Sequence, residues 1–243
     1  DYLKEVIEVF QNNSNVSMVM VHRDEIDADG NVKKSIPFYN SSCIIPGEEQ
    51  AAVFMMTGIA IPGQRVMKVS SMDEIKEWIC TFQVANDWYY NALMACAGDI
   101  AYINKPLMQY RVHNQNETSE SEYNLTGVLE HYLIIHKIAK VTSQIGYSKP
   151  QKRLPKAIEK LGDMCLRYAY KMFLQNEKGV AEQYLNLAKV FKVTLESQDN
   201  YQELRECINL EGMILKERLL QYKERYEVER KVSYNPPENA QLF

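Results

Sequence analysis

Three polar side chains near the middle of this chain have the types and spacing for acid–base and anion chemistry. Asp87 follows Asn86 at the start of an apolar helical pattern. Arg111 and His113 close the second strand-like run after it, Lys105-Pro106-Leu107-Met108-Gln109-Tyr110-Arg111-Val112-His113. A carboxylate in the first turn of a helix meets unpaired backbone N–H groups and the positive end of the helix dipole. If it faces a cleft, it can take a proton from a sugar or other hydroxyl. An arginine fork anchors anionic oxygens, and a histidine beside it can ligate a metal or meet a phosphate. Each residue also has a plainer meaning. Asn and Asp are preferred helix N-caps, and an Arg/His pair at a strand end can simply face solvent. A cap and a base do not exclude each other.

These side chains need a sheet and helices to bring them to one rim. Residues 87–97 read as a helix, and 99–103 and 107–113 read as two strands. Upstream, Tyr2, Leu3, Val6, Ile7 and Phe10 share a helical face that ends at Asn12-Asn13-Ser14-Asn15, and Ser17–Val21 reads as a buried strand. The segment 25–34 turns at Asp29-Gly30, whose glycine tolerates positive φ, which predicts a hairpin. A helix is expected over 48–57 and a strand over 64–69. Between them Gly58-Ile59-Ala60-Ile61-Pro62-Gly63-Gln64 forms a rigid apolar loop. Ser71 with Glu74 three residues on has capping-box spacing and predicts a helix over 71–82.

The composition changes near Asn114 to Glu122, where Asn, Gln, Glu, Ser and Thr crowd together, and everything beyond reads as helical. Ala157, Leu161, Met164, Cys165, Tyr168 and Met172 form one stripe, and Val180, Tyr184, Leu187, Ala188, Phe191 and Leu195 a second. Asn176-Glu177-Lys178-Gly179 joins them as an antiparallel helical hairpin. A last long helix carries Tyr201, Leu204, Ile208, Leu215, Leu219, Tyr222 and Tyr226. Small residues do not fall at the offsets of a tetratricopeptide repeat.

With 28 basic and 32 acidic residues the net charge is −4, which gives no electrostatic case for nucleic acid as a partner. Five scattered cysteines without a C-x-x-C pair read as reduced core residues of a cytoplasmic protein. No apolar run approaches the roughly 20 residues of a spanning helix. The chain opens at Asp1 directly in a helical pattern, so further residues are expected upstream. His22, His131 and His136 read as structural, since the last two are five apart rather than the four of a metal pair. Asp27-Ala28-Asp29 is followed by Gly30-Asn31, which argues for turn chemistry rather than a cation site. No P-loop, G-x-G-x-x-G, G-x-S-x-G or H-E-x-x-H occurs.

In order, Asp1-Tyr2-Leu3, the D-x-I-D-x-D-G-N run of Asp24 to Asn31, Asn86-Asp87, Gly98, Ala101-Tyr102-Ile103, Pro106-Leu107 and Tyr110 to Asn114 resemble the second half of a family-2 glycosyltransferase domain of GT-A fold. The resemblance implies transfer of a sugar, with inversion, from a nucleotide-sugar donor to a glycan or lipid-linked acceptor in a cell-surface polysaccharide pathway. It implies Asp87 as catalytic base, although the family's pair is Glu-Asp and this chain has Asn-Asp. It implies Gly58, Gly63, Gln64 and Trp88 on the acceptor side, and His113 and Arg111 at the diphosphate or metal. A divalent ion, Mn or Mg, is implied for the full-length enzyme. No Q-x-x-R-W follows, because Val112 succeeds Arg111, which points to a non-processive enzyme.

The expectation is therefore an α/β segment over 1–121, the acceptor-side half of a GT-A-like mixed sheet without the nucleotide-binding half, and a helical region over 122–243. The helices could alternatively make this a non-catalytic protein-interaction module, or associate two copies as a homo-oligomer. Lys216, Arg218, Lys223, Arg225, Arg230 and Lys231 would allow peripheral contact at the inner face of a membrane, but interleaved acidic residues favour a solvated face.

Overall fold

The computed structural model describes residues 1–111, 118–226 and 232–243. The chain divides into two units, Asp1–Asn116, Ile134–Leu154 and Arg230–Phe243 forming one, and Glu117–Leu133 and Pro155–Glu229 the other.

The first unit is mixed α/β. Tyr2–Asn12 (α1) is the expected amphipathic helix and buries Val6 and Val9. Val16–Ile26 (β1) begins with seven consecutive buried residues, as a strand covered on both faces must. It turns back into Val32–Lys33 (β2), pairing Glu25 with Lys33 and Ile26 with Val32. Gly30 takes φ +88° in the turn. The Asp27 carboxylate accepts hydrogen bonds from the backbone (2.8 Å) and side-chain (2.9 Å) N–H groups of Asn31, which commits it to the turn.

Cys43–Ile45 (β3) leads into Gly47–Phe54 (α2), and Arg65–Met67 (β4) pairs antiparallel with β1. The next helix, Val69–Ile75 (α3), differs from the expectation over 71–82. Lys68 N–H still bonds Ser17 O of β1 (2.8 Å), so the chain passes from ladder to helix at once. Ser71 is buried inside that helix rather than capping it, and a single 3-10 turn, Lys76–Trp78, ends it. Asn86–Ala97 (α4) matches its prediction within a residue.

The two strands expected at 99–103 and 107–113 are one, Asp99–Arg111 (β5), parallel to β1. Register shifts pair Val21 with Ile103, His22 with Pro106 and Arg23 with Met108, so the proline sits at an irregularity where its missing N–H costs no regular ladder bond. The sheet runs β2-β1-β5-β3 and ends on Gln241–Leu242 (β6), with β4 alongside β1. Val19, Val21, Ile44, Ala101 and Ile103 pack with Val6 and Val9 of α1 on one face. Strand alternation sends Met18, Met20, Ile100 and Tyr102 to the other, where α2 and α4 pack. Gly47 and Gly98 let backbones meet there. A Cβ on Gly47 would stand 2.3 Å from Ala95 O, and one on Gly98 2.4 Å from Asn15 O.

Beyond the sheet come Thr118–Tyr123 (α5), Thr126–Gln144 (α6) and Lys149–Leu174 (α7), the unit boundaries falling inside the last two. Within the first unit Glu48 Oε1 accepts the backbone N–H groups of Ser148 (2.6 Å) and Lys149 (2.8 Å). A carboxylate from α2 thus caps the start of α7, satisfying donors that a helix N-terminus leaves open.

The second unit is helical. Lys178–Phe191 (α8) pairs with α7 across a turn in which Asn176 takes φ +63°. Ala157, Leu161, Cys165 and Met172 are buried as the first stripe requires, and Tyr184, Ala188 and Leu195 as the second does. Gly162 permits the close approach of these helices, since a Cβ there would meet Lys192 Cβ at 2.8 Å and Ala188 O at 2.9 Å. The last helix is two, Asp199–Glu206 (α9) and Gly212–Tyr226 (α10). A 3-10 turn at Cys207–Asn209 and Gly212 at φ +55° break it. Among the described residues no helix is long and apolar enough to cross a membrane.

Candidate functional site

Asp87 stands in the first turn of α4, half-buried, and its Oδ1 accepts the N–H of Trp88 at 2.8 Å. It therefore satisfies one of the open donors of the helix, although the residue preceding the helix is Ala85 and gives no side-chain cap. Among the described residues nothing donates a hydrogen bond to Oδ2. Asn86 turns back to accept Phe82 N–H at 3.3 Å. One oxygen of Asp87 is thus held.

The loop 58–64 is bound to this helix, which the sequence did not reveal. Arg65 of β4 donates through Nη1 to Ala60 O (2.9 Å) and to Asp87 O (3.4 Å). Asn91, one turn beyond Asp87 on the same face of α4, donates to the same Ala60 O at 2.7 Å. Burial pulls the Arg65 guanidinium below its ordinary range, while the charge of Asp87 opposes that change. Asn91 was legible only as an isolated amide in an apolar run, four residues from Asp87. Arg65 carried no signal.

Three of the four residues expected on the acceptor side also build the loop. Trp88 is 8% exposed and donates Nε1–H to Phe54 O at 2.6 Å, so its ring belongs to the core. Gly58 lies on that ring, where a Cβ would stand 3.3 Å from Trp88 Cγ. Gln64 is 5% exposed; its Nε2 donates to Val21 O (2.8 Å) and its Oε1 accepts from Arg23 (3.3 Å). Gly63 is exposed at φ +85°, and its carbonyl accepts the Tyr2 hydroxyl at 3.1 Å.

Arg111 belongs to another neighbourhood. Its Nη1 donates to Asp27 O (2.7 Å) and Ala28 O (3.3 Å), which staples the β1–β2 turn to the end of β5. His113 lies outside the described residues. Among the described residues no three His, Cys, Asp or Glu side chains come together to hold a metal ion. The Asp27 carboxylate is engaged by Asn31, so among the described residues it is not part of a donor set for the divalent ion the resemblance implies.

Several titratable groups away from Asp87 are buried. Burial pushes the Cys43, Cys96 and Cys165 thiols up to about 12, and all five cysteines are free. Burial lowers His131 to about 4. Asp24, 4% exposed, accepts Lys34 Nζ (2.8 Å) and Ser35 N–H (3.1 Å). Burial raises its pKa, and those bonds more than reverse the change. A cleft of about 650 Å³ opens between α1, β3, β5 and β6, with Lys4, Glu8, Asn12 and Lys105 around a floor of Val9 and Ile103. Asp87 does not line it. No protein-family model matches the chain, and no curated protein matches it.

Proposed function

We propose that this chain carries the acceptor-side part of a GT-A glycosyltransferase domain of the family-2 type. It would transfer a sugar from a nucleotide-sugar to a hydroxyl of a glycan or lipid-linked acceptor, with inversion and one residue at a time. The observation that carries the reading is Asp87. It is a carboxylate at a helix N-terminus with one oxygen held by Trp88 N–H, the other accepting no hydrogen bond among the described residues, and a fixed loop beside it. The ordered motifs from Asp1 to Arg111 and a mixed sheet with helices on both faces support it further.

In this reading the acceptor hydroxyl attacks the anomeric carbon of the donor. The C–O bond to the diphosphate breaks on the opposite face, and the hydroxyl proton passes to Asp87 Oδ2. Loop 58–64 supplies the wall that orients the acceptor. The test uses the intact gene product with a panel of nucleotide-sugars and Mn or Mg, scored by acceptor-dependent release of nucleoside diphosphate. Asp87→Asn should lower kcat by about a thousandfold, the loss of a positioned base, and leave donor affinity unchanged. Undiminished transfer by that variant ends the assignment.

A second reading, a protein-interaction module, is favoured by one observation. Val190 (71%), Val193 (75%), Met213 (76%) and Ile214 (64%) expose large apolar side chains in the helical unit. Failure of any nucleotide-sugar to release diphosphate or raise the melting temperature would favour it.

A further inference from the structure

Loop 58–64 is fixed at both ends by contacts that do not involve Asp87. At its start Gly58 rests on Trp88, and at its end Gln64 bonds the β1 backbone through Nε2 to Val21 O (2.8 Å) and through its own carbonyl to Val21 N–H (3.0 Å). Between them Gln64 N–H bonds Ile61 O (3.0 Å) and the Tyr2 hydroxyl bonds Gly63 O (3.1 Å), but the tie to α4 runs through one atom. Ala60 is 3% exposed, and its carbonyl oxygen accepts from Asn91 Nδ2 (2.7 Å) and Arg65 Nη1 (2.9 Å), donors on two different elements. The same Arg65 nitrogen reaches Asp87 O (3.4 Å). Three segments therefore converge on one guanidinium and one amide.

Both groups are costly where they stand. Arg65 is half-buried and desolvated. Asn91 is fully buried, and among the described residues its Oδ1 has no hydrogen-bond partner. An unmatched buried acceptor costs about 1–3 kcal/mol, so an aliphatic side chain of similar size would hold this part of the core at lower cost. What the amide does in return is hold Ala60.

We propose that Arg65 and Asn91 are positioning residues, a clamp on Ala60 O that fixes loop 58–64 against α4 and so sets where an acceptor hydroxyl meets the Asp87 carboxylate. This inference rests on the glycosyltransferase reading above. Neither side chain touches substrate. Both act through the loop and the first turn of α4.

The test compares Asn91→Leu, Arg65→Gln and Arg65→Lys with the wild type in the intact gene product. Hydrogen exchange of the 58–64 amides, thermal unfolding and transfer kinetics are read in parallel. Asn91→Leu should leave the melting temperature unchanged or raised, because it removes an unmatched polar group. It should also speed loop exchange about tenfold and lower kcat by about ten- to a hundredfold, the cost of a misplaced reacting group, with donor KM within about threefold. Arg65→Lys should recover part of what Arg65→Gln loses, since an ammonium can still reach one carbonyl. Loop exchange at the wild-type rate in Asn91→Leu and Arg65→Gln overturns the clamp. So does faster exchange with wild-type kcat. If the wild type transfers sugar and Asp87→Asn does not, wild-type kcat in the clamp variants overturns this inference alone. If the wild type transfers none, the glycosyltransferase reading fails and the catalytic clamp falls with it.

Discussion

Around α4 the polar side chains are tied to backbone atoms: Asp87 to Trp88 N–H, Asn91 and Arg65 to Ala60 O, Trp88 to Phe54 O. In α8, the segment after it and α10, polar side chains are tied as well, Lys192 to Asp163 (2.7 Å) and Ser197 to Thr194 O (3.0 Å), but the outward positions also include the apolar Val190, Val193, Met213 and Ile214. Polar groups bonded to backbone hold a geometry at the expense of desolvation, whereas exposed apolar groups hold none and gain only when something covers them. The two regions nevertheless share one packing device. Gly47 lets α2 meet α4, and Gly162 lets α7 meet α8, each by leaving out a Cβ that would overlap a carbonyl. The contrast lies in what each surface presents, not in how the cores are packed.

The largest effects test the shared device. Gly47→Ala should cost about 3 kcal/mol, because its Cβ would stand within 3 Å of Ala95 O, Gly98 O and the Tyr147 hydroxyl together. Gly162→Ala should cost about 2 kcal/mol, with Lys192 Cβ and Ala188 O in the way. Urea unfolding followed by tryptophan fluorescence and by circular dichroism checks both. Shifts confined to different transitions would sharpen the comparison, and one common transition for both variants would break it.

Next is the cap on α7. Glu48→Gln should cost about 1 kcal/mol, the usual worth of a helix cap. The backbone N–H of Lys149 holds the Glu48 carboxyl below its ordinary 4.5; burial opposes this, and the Ser148 bonds reinforce it. A depressed folded-state pKa means that the unfolded chain binds the proton first. The cap's contribution is thus complete above about pH 4.5 and is lost as pH falls through the lower folded value. Melting temperature against pH should fall less steeply below pH 4.5 in Glu48→Gln than in the wild type; parallel curves would remove the carboxylate from the account. The smallest effect belongs to the exposed apolar pair. The double variant Met213→Lys, Ile214→Lys should change stability by less than about 0.5 kcal/mol. If these residues join copies, sedimentation velocity should show a wild-type oligomer that the variant lacks; a wild-type monomer would remove homo-oligomerisation from the interaction reading.

Much of the fold was legible because it is local. The α1 face, the Asp29-Gly30 turn, the α4 run and the α7 and α8 stripes all follow from side-chain period and from one glycine that accepts positive φ. Of the candidate site, Asp87, its helix and loop 58–64 were legible, but not the side chains that join them. Trp88 and Gln64 have the side chains of an acceptor surface, yet both are buried, because what covers them comes from residues 54–60 and from β1. The strand through Pro106 and the uncapped start of α3 escaped notice for a similar reason. In each case the partner strand β1, far away in sequence, absorbs what looks locally like a break.

The sequence by itself determined the helix that carries Asp87, the hairpin, the paired stripes of the second unit and the absence of the common nucleotide, hydrolase and metal motifs, since period and turn chemistry act over a few residues. Only the tertiary structure decided that Arg111 bonds the β1–β2 turn and that Arg65 ties loop 58–64 to α4. It also returned Ile134–Leu154 and Arg230–Phe243 to the first unit. A hydrogen bond to a carbonyl such as Ala60 O depends on where two distant backbones are carried by the sheet, and nothing in the local pattern of either segment encodes that distance.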